Sequence, residues 1–104
     1  MSRIYFGVVL AHDIEEANKI LSDTVCDFIF DHYEIPGTVV QPEDLDDGDV
    51  DAYVDSEGYV QDGADYDTLD WIKTDAKRYP DMKFLSLKVH GLTMMINAVK
   101  KEEC

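Results

Sequence analysis

Arg3-Ile4-Tyr5-Phe6-Gly7-Val8-Val9-Leu10-Ala11 is the apolar stretch on which the fold turns. Its β-branched and aromatic residues run on without polar alternation. That pattern predicts a strand covered on both faces, and therefore central in its sheet. The run is far too short to span a bilayer, and no basic segment with a small-residue cleavage site precedes it. The expected location is the cytoplasm of the cell that makes or hosts the protein.

Asp13 follows, with Glu16 three residues on, a capping-box pattern that starts a helix. Ile14, Ala17, Leu21, Val25 and Phe28 recur at steps of three and four, one apolar helical face. Pro36-Gly37 cannot continue a helix, so its end is expected near Tyr33 or Glu34. Residues 38–41 read as a short strand stopped by Pro42, and residues 43–49 as an acidic loop. Val50-Asp51-Ala52-Tyr53-Val54 alternates at period two. It can pair with Tyr59-Val60-Gln61 across Asp55-Ser56-Glu57-Gly58, giving an exposed hairpin.

A second helix is expected from about Asp65 to Tyr79, ended by Pro80, with Tyr66, Leu69, Ile72, Ala76 and Tyr79 on its apolar side. Its early acids and late bases suit the helix dipole. Residues 83–90 alternate as a strand, and residues 92–99 are read as a strand returning after His90-Gly91. At 104 residues this is one domain's worth of chain, with an acidic loop and hairpin inserted at about 42–63. The expected class is α+β, with two helices on one face of a small, mostly antiparallel sheet of four to five strands. A ferredoxin-like core is one arrangement that this element order allows.

Charge is the outlier. The chain carries 23 Asp and Glu against 9 Lys and Arg, a formal net of −14. No basic residue occurs between Lys19 and Lys73, an interval holding 16 of the acids. The rest of the chain is net +2. Soluble surfaces usually intersperse both signs; this sequence gathers one.

Catalytic and metal chemistry find little support. His12, His32 and His90 lie in three separate elements, and there is no phosphate loop, nucleophile elbow or HExxH. Cys26 reads as a small buried hydrophobe within the first helix, and neither it nor Cys104 has metal-ligand spacing. Asp47, Asp49, Asp51 and Asp55 match positions one, three, five and nine of an EF-hand loop. Ala52 and Gly58 then stand where Gly and the bidentate Glu belong, so no dedicated site is expected. No catalytic residue, metal or cofactor is assigned.

The acidic surface is the remaining feature. Asp23, Asp27 and Asp31 fall at four-residue steps along the first helix, about 6 Å apart at a rise of ~1.5 Å per residue. Glu43, Asp44, Asp46, Asp47, Asp49, Asp51, Asp55, Glu57 and Asp62 follow in the loop and hairpin, with Tyr53 as an exposed aromatic contact among them. Tyr66 and Trp71 are read equally as core residues or as contacts. Such a surface repels nucleic acid and anionic membranes, and attracts a basic groove.

In charge and length the chain is similar to the DNA-mimic inhibitors that viruses make against restriction and CRISPR enzymes. That resemblance implies an acidic inhibitor that occupies a basic, nucleic-acid-binding partner. The alternative is an accessory subunit, a dimer or part of a complex, whose acidity confers solubility; a cation-binding module ranks behind both.

Overall fold

The computed structural model describes residues 4–24, 32–46, 49–62 and 68–90, with the backbone alone at 23, 24 and 62. Val25, Cys26, Asp27, Phe28, Asp31, Asp47, Asp65, Tyr66, Asp67, Gly91, residues 92–99, where a returning strand is expected, and Cys104 lie outside the described residues.

The first apolar run is strand β1, Ile4–Ala11. It is central: β6 (Lys83–His90) pairs with it antiparallel along all eight residues, and β4 (Ala52–Val54) pairs with it parallel on the other side. Val8, Val9, Leu10 and Ala11 are fully buried, so both faces of the strand are covered as its composition requires. Gly7 allows close approach here, since a Cβ on it would lie 3.1 Å from the Ala52 carbonyl oxygen and 3.2 Å from Leu87.

The sheet runs β2-β6-β1-β4-β5, with β2 spanning His32–Glu34 and β5 spanning Val60–Asp62. A further short strand, β3 (Val39–Val40), also pairs with β6. Strands β2 and β3 act as one interrupted edge. Tyr33 is opposite Val89 and Val39 opposite Leu85, so two extra residues bulge out between them. Gly37, at φ 83°, supplies the left-handed residue that this bulge needs.

Helix α1, Ile14–Thr24, begins where the capping pattern places it. The Glu16 amide donates to Asp13 Oδ1 at 2.8 Å, and the Glu16 carboxylate turns to His12 Nδ1 at 2.7 Å. The expected extension of this helix to residue 33 or 34 is corrected: His32–Glu34 is a strand. Its backbone completes the exposed side of β6, while Tyr33 and Ile35 pack into the core, and that tertiary pairing outweighs the local helical pattern. Helix α2, Thr68–Arg78, carries Asp70 in its first turn and Lys77 and Arg78 in its last.

The α+β class holds, with two helices packed against a mixed sheet of six strands rather than four or five. The expected placement of both helices on one face is corrected. Ala17, Ile20 and Leu21 of α1 pack with Val9, Ala11, Val54, Leu85 and Leu87. Leu69, Ile72 and Ala76 of α2 pack with Val8, Leu10, Tyr53 and Phe84. Neighbouring strand residues point to opposite faces, so the helices lie on opposite sides. A strand apolar at every position, like β1, needs cover on both. With this strand order, the arrangement is not ferredoxin-like.

The hairpin of β4 and β5 is likewise not an exposed appendage. Ala52, Tyr53, Val54 and Val60 are fully buried, because β4 continues the sheet beside β1.

Candidate functional site

Tyr53 decides the local geometry. Strand alternation points Ala52 and Val54 towards α1 and Tyr53 towards α2. Its ring lies 6.1 Å from that of Phe84, and its hydroxyl donates to Asp75 Oδ2 at 2.7 Å. The expected exposed aromatic contact is therefore corrected: Tyr53 has 0% exposure. Its shared parity with Asp51 and Asp55 placed it on a face that α2 covers. Burial, followed by the hydrogen bond to Asp75 and that group's charge, pushes the phenol far above its ordinary value.

Asp55 ends β4 and organises the turn. Its Oδ1 accepts the amides of Glu57 at 2.9 Å and Tyr59 at 3.0 Å, and its carbonyl accepts the Gly58 amide at 3.0 Å. Gly58 has φ 89°, a conformation that glycine adopts without strain. Burial pushes the Asp55 carboxyl up. The two amides pull it partly back, while the charges of Asp75 and Glu57 push it up again.

Between this turn and α2 lies a cavity of about 530 Å³. Four carboxylates line it: Asp55 and Glu57 from the turn, Asp70 and Asp75 from the helix. Tyr59, Trp71 and Tyr79 supply aromatic walls, and Arg78 is its one basic residue. Asp75 is only 8% exposed, whereas Trp71 is 43% exposed. A second cavity, of about 500 Å³, lies along α2 near the turn Pro42–Asp44. Lys73, Lys77 and Lys83 line it over an apolar floor that includes Val40, Ala76 and Phe84, with Glu43 the one acid.

The acids anticipated from sequence divide by role. Glu43, Asp44, Asp46, Asp49 and Glu57 are exposed. Asp49 Oδ2 accepts the Asp46 amide at 2.8 Å and so braces the loop. Asp51 is half-buried: its amide donates to the Phe6 carbonyl at 2.7 Å, and its Oδ2 accepts the Phe6 amide at 3.0 Å. Asp51 and Asp55 thus hold backbone in place. Asp23 falls in α1 and Asp62 in β5; Asp27, Asp31 and Asp47 are outside the described residues. The fold brings Asp55 and Glu57 together with Asp70 and Asp75, and sets Glu43 among lysines instead.

Sequence reasoning missed Asp75. A signal was present, because Ile72, Asp75 and Tyr79 continue one helical stripe and place an acid on its buried side. The sheet also joins two histidines from separate elements. His32 and His90 are cross-strand neighbours with rings 5.3 Å apart, and His90 Nε2 lies 3.5 Å from Glu34 Oε2.

Among the described residues no group of three or more His, Cys, Asp or Glu could hold a metal ion. No described helix is long and apolar enough to cross a membrane. The chain matches no protein-family model, no curated protein and no solved structure.

Proposed function

We propose that the protein is a small acidic inhibitor that docks on a basic, nucleic-acid-binding partner in the cytoplasm and blocks it by occupancy. It works as a DNA mimic does, in the manner of a viral anti-restriction or anti-CRISPR protein. The observation that carries this reading is the absence of any Lys or Arg from residue 20 to residue 72, across 16 acids.

The side-chain arrangement supports it. Both ion pairs among the described residues use histidine, His12 with Glu16 and His90 with Glu34. The exposed acids Glu43, Asp44, Asp46, Asp49 and Glu57 therefore have no Lys or Arg partner there. Such carboxylates steer a cationic partner towards them, and the attraction falls as salt rises.

The test is capture of host proteins at low and at moderately high salt, beside a variant with those five acids exchanged for Asn or Gln. Asp51 and Asp55 are left intact, because they hold backbone. The expected result is a nucleic-acid-binding protein that is lost with added salt, displaced by duplex DNA and not retained by the variant. A partner that ignores salt, or that the variant retains fully, would sink the proposal and favour an accessory subunit.

A further inference from the structure

We propose that the cavity between α2 and the β4–β5 turn receives a guanidinium group, the side chain of an arginine presented by the partner protein. This rests on the reading that the partner is basic, and names the chemistry of one contact.

The first argument is a largely buried carboxylate with no cationic partner among the described residues, one oxygen of which is left open to the cavity. Asp75 is 8% exposed and lines the cavity. One of its oxygens takes the Tyr53 hydroxyl; the other has no hydrogen-bond donor among the described residues. No Lys or Arg nitrogen lies within 4.0 Å of any carboxylate there, although Arg78 lines the same cavity. Buried carboxylates are ordinarily paired. Here a second, half-buried carboxylate, Asp55, lines the same space, and its proton affinity is raised in part by Asp75. A single cation between the two acids offsets the repulsion that Asp75 exerts on Asp55.

The second argument is independent of charge. Trp71 is 43% exposed at this cavity, with Tyr59 and Tyr79 beside it. Aromatic faces attract cations, indole most strongly, and a planar guanidinium both stacks on a ring and forks to a carboxylate. A metal ion would gain nothing from such walls. A neutral ligand would leave both acids uncompensated, and an anion would be repelled. The volume, about 530 Å³, is in the range of ligand-binding pockets, ~300–1,000 Å³.

Trp71 is the single tryptophan of the chain, which makes its emission a direct readout. The full chain is titrated with N-acetyl-arginine methylamide, with the uncharged norleucine analogue, and with spermidine. The expected result is a saturable change in Trp71 emission with the arginine compound, none with norleucine, and weaker binding of spermidine. Asp75→Asn, whose side-chain oxygen can still accept from Tyr53, weakens the arginine compound about tenfold, equivalent to ~1.4 kcal/mol.

The exposed change Asp70→Asn alters little of the fold and weakens it about threefold, an order set by partly screened charge. Trp71→Ala, followed by amide NMR shifts, weakens it by a similar factor. No saturable response, equal binding of norleucine, or unchanged affinity in both Asp variants overturns the pocket. Tighter, competing binding of spermidine overturns the arginine assignment in favour of a polyamine. Salt-sensitive capture of a basic partner without an arginine response removes the pocket and leaves the docking reading standing. An arginine response without any basic partner removes the docking reading, and with it the partner's arginine as occupant.

Discussion

The two flanks of α2 share a helix and a sheet beneath it, yet they carry opposite charge. On one flank Lys73 and Lys77 stand a turn apart beside Lys83, around a cavity of about 500 Å³. On the other, Asp70 and Asp75 face Asp55 and Glu57 across one of about 530 Å³. Helical phase does not separate the signs by itself, since Asp70 and Lys73 are three residues apart and Arg78 joins the acidic side; what each flank faces, the β4–β5 turn or residues 39–43, completes the division. The deeper difference is solvation. The three lysines are exposed, so water already satisfies them. Asp75 is buried and Asp55 half-buried, and for these one hydroxyl and two amides stand in for part of the lost water. Charge in a surface groove is inexpensive to leave unpaired; charge behind a helix is not. A high net charge therefore says less about function than where a few of the charges have lost their water.

The largest change would remove what the two flanks share. Ile72 is fully buried beneath α2, among Val8, Leu10, Tyr53 and Phe84. Ile72→Ala should cost about 2–5 kcal/mol in urea denaturation and loosen both cavities together. Loss of the arginine response with an undisturbed lysine-lined groove would show that the flanks are positioned independently.

Next is Tyr53→Phe, which touches the acidic flank alone. It keeps the ring against Phe84 and removes the donor to Asp75, leaving a buried carboxylate short of a hydrogen bond. The expected destabilisation is about 1.5–3 kcal/mol. The wild type should also lose stability as pH rises above 10, since the unfolded chain releases the Tyr53 proton there while the folded chain retains it. The variant should lack that part of the alkaline decline. Equal stability of the two proteins at neutral pH would mean that Asp75 finds another donor.

The frame of this arrangement was legible in the sequence, and the acidic flank was not. β1 announces its central position because no residue from Ile4 to Ala11 is polar beyond a tyrosine hydroxyl. The alternation of residues 83–90 matches β6 end to end. What stayed hidden depends on which face is covered. Period two separates the faces of β4, yet it does not say that a helix will seal the one bearing Tyr53. The same gap put both helices on one side, although a strand apolar on both faces already called for two layers. β2 was hidden differently, because His32–Glu34 gains its conformation from the backbone of β6, nearly sixty residues later in the chain. Asp75 was readable as an acid within an apolar stripe. It lies beyond Lys73, outside the base-free interval on which the reading of the charge rests.

The smallest effect separates the cost of charge from the need for an acceptor. Asp55 accepts two turn amides while its carboxyl is pushed up from 3.8, mainly by burial. The folded chain therefore keeps this proton over a pH window in which the unfolded chain has released it. Through that window Asp55 lowers stability as pH rises, opposite to a salt-bridged aspartate. Asp55→Asn retains an oxygen for the amides and has no charge to desolvate. Its melting temperature should match the wild type's near pH 3.8, exceed it increasingly as pH rises, and hold that lead at neutrality. Lower stability at every pH would show that the turn needs a full carboxylate, making Asp55 a structural brace rather than a compromised charge. The arginine compound sharpens the distinction, because a cation beside Asp55 favours its ionised form. Saturation with that compound should stabilise the wild type more than the variant, and a deficit that the compound leaves unchanged would place the cation away from Asp55.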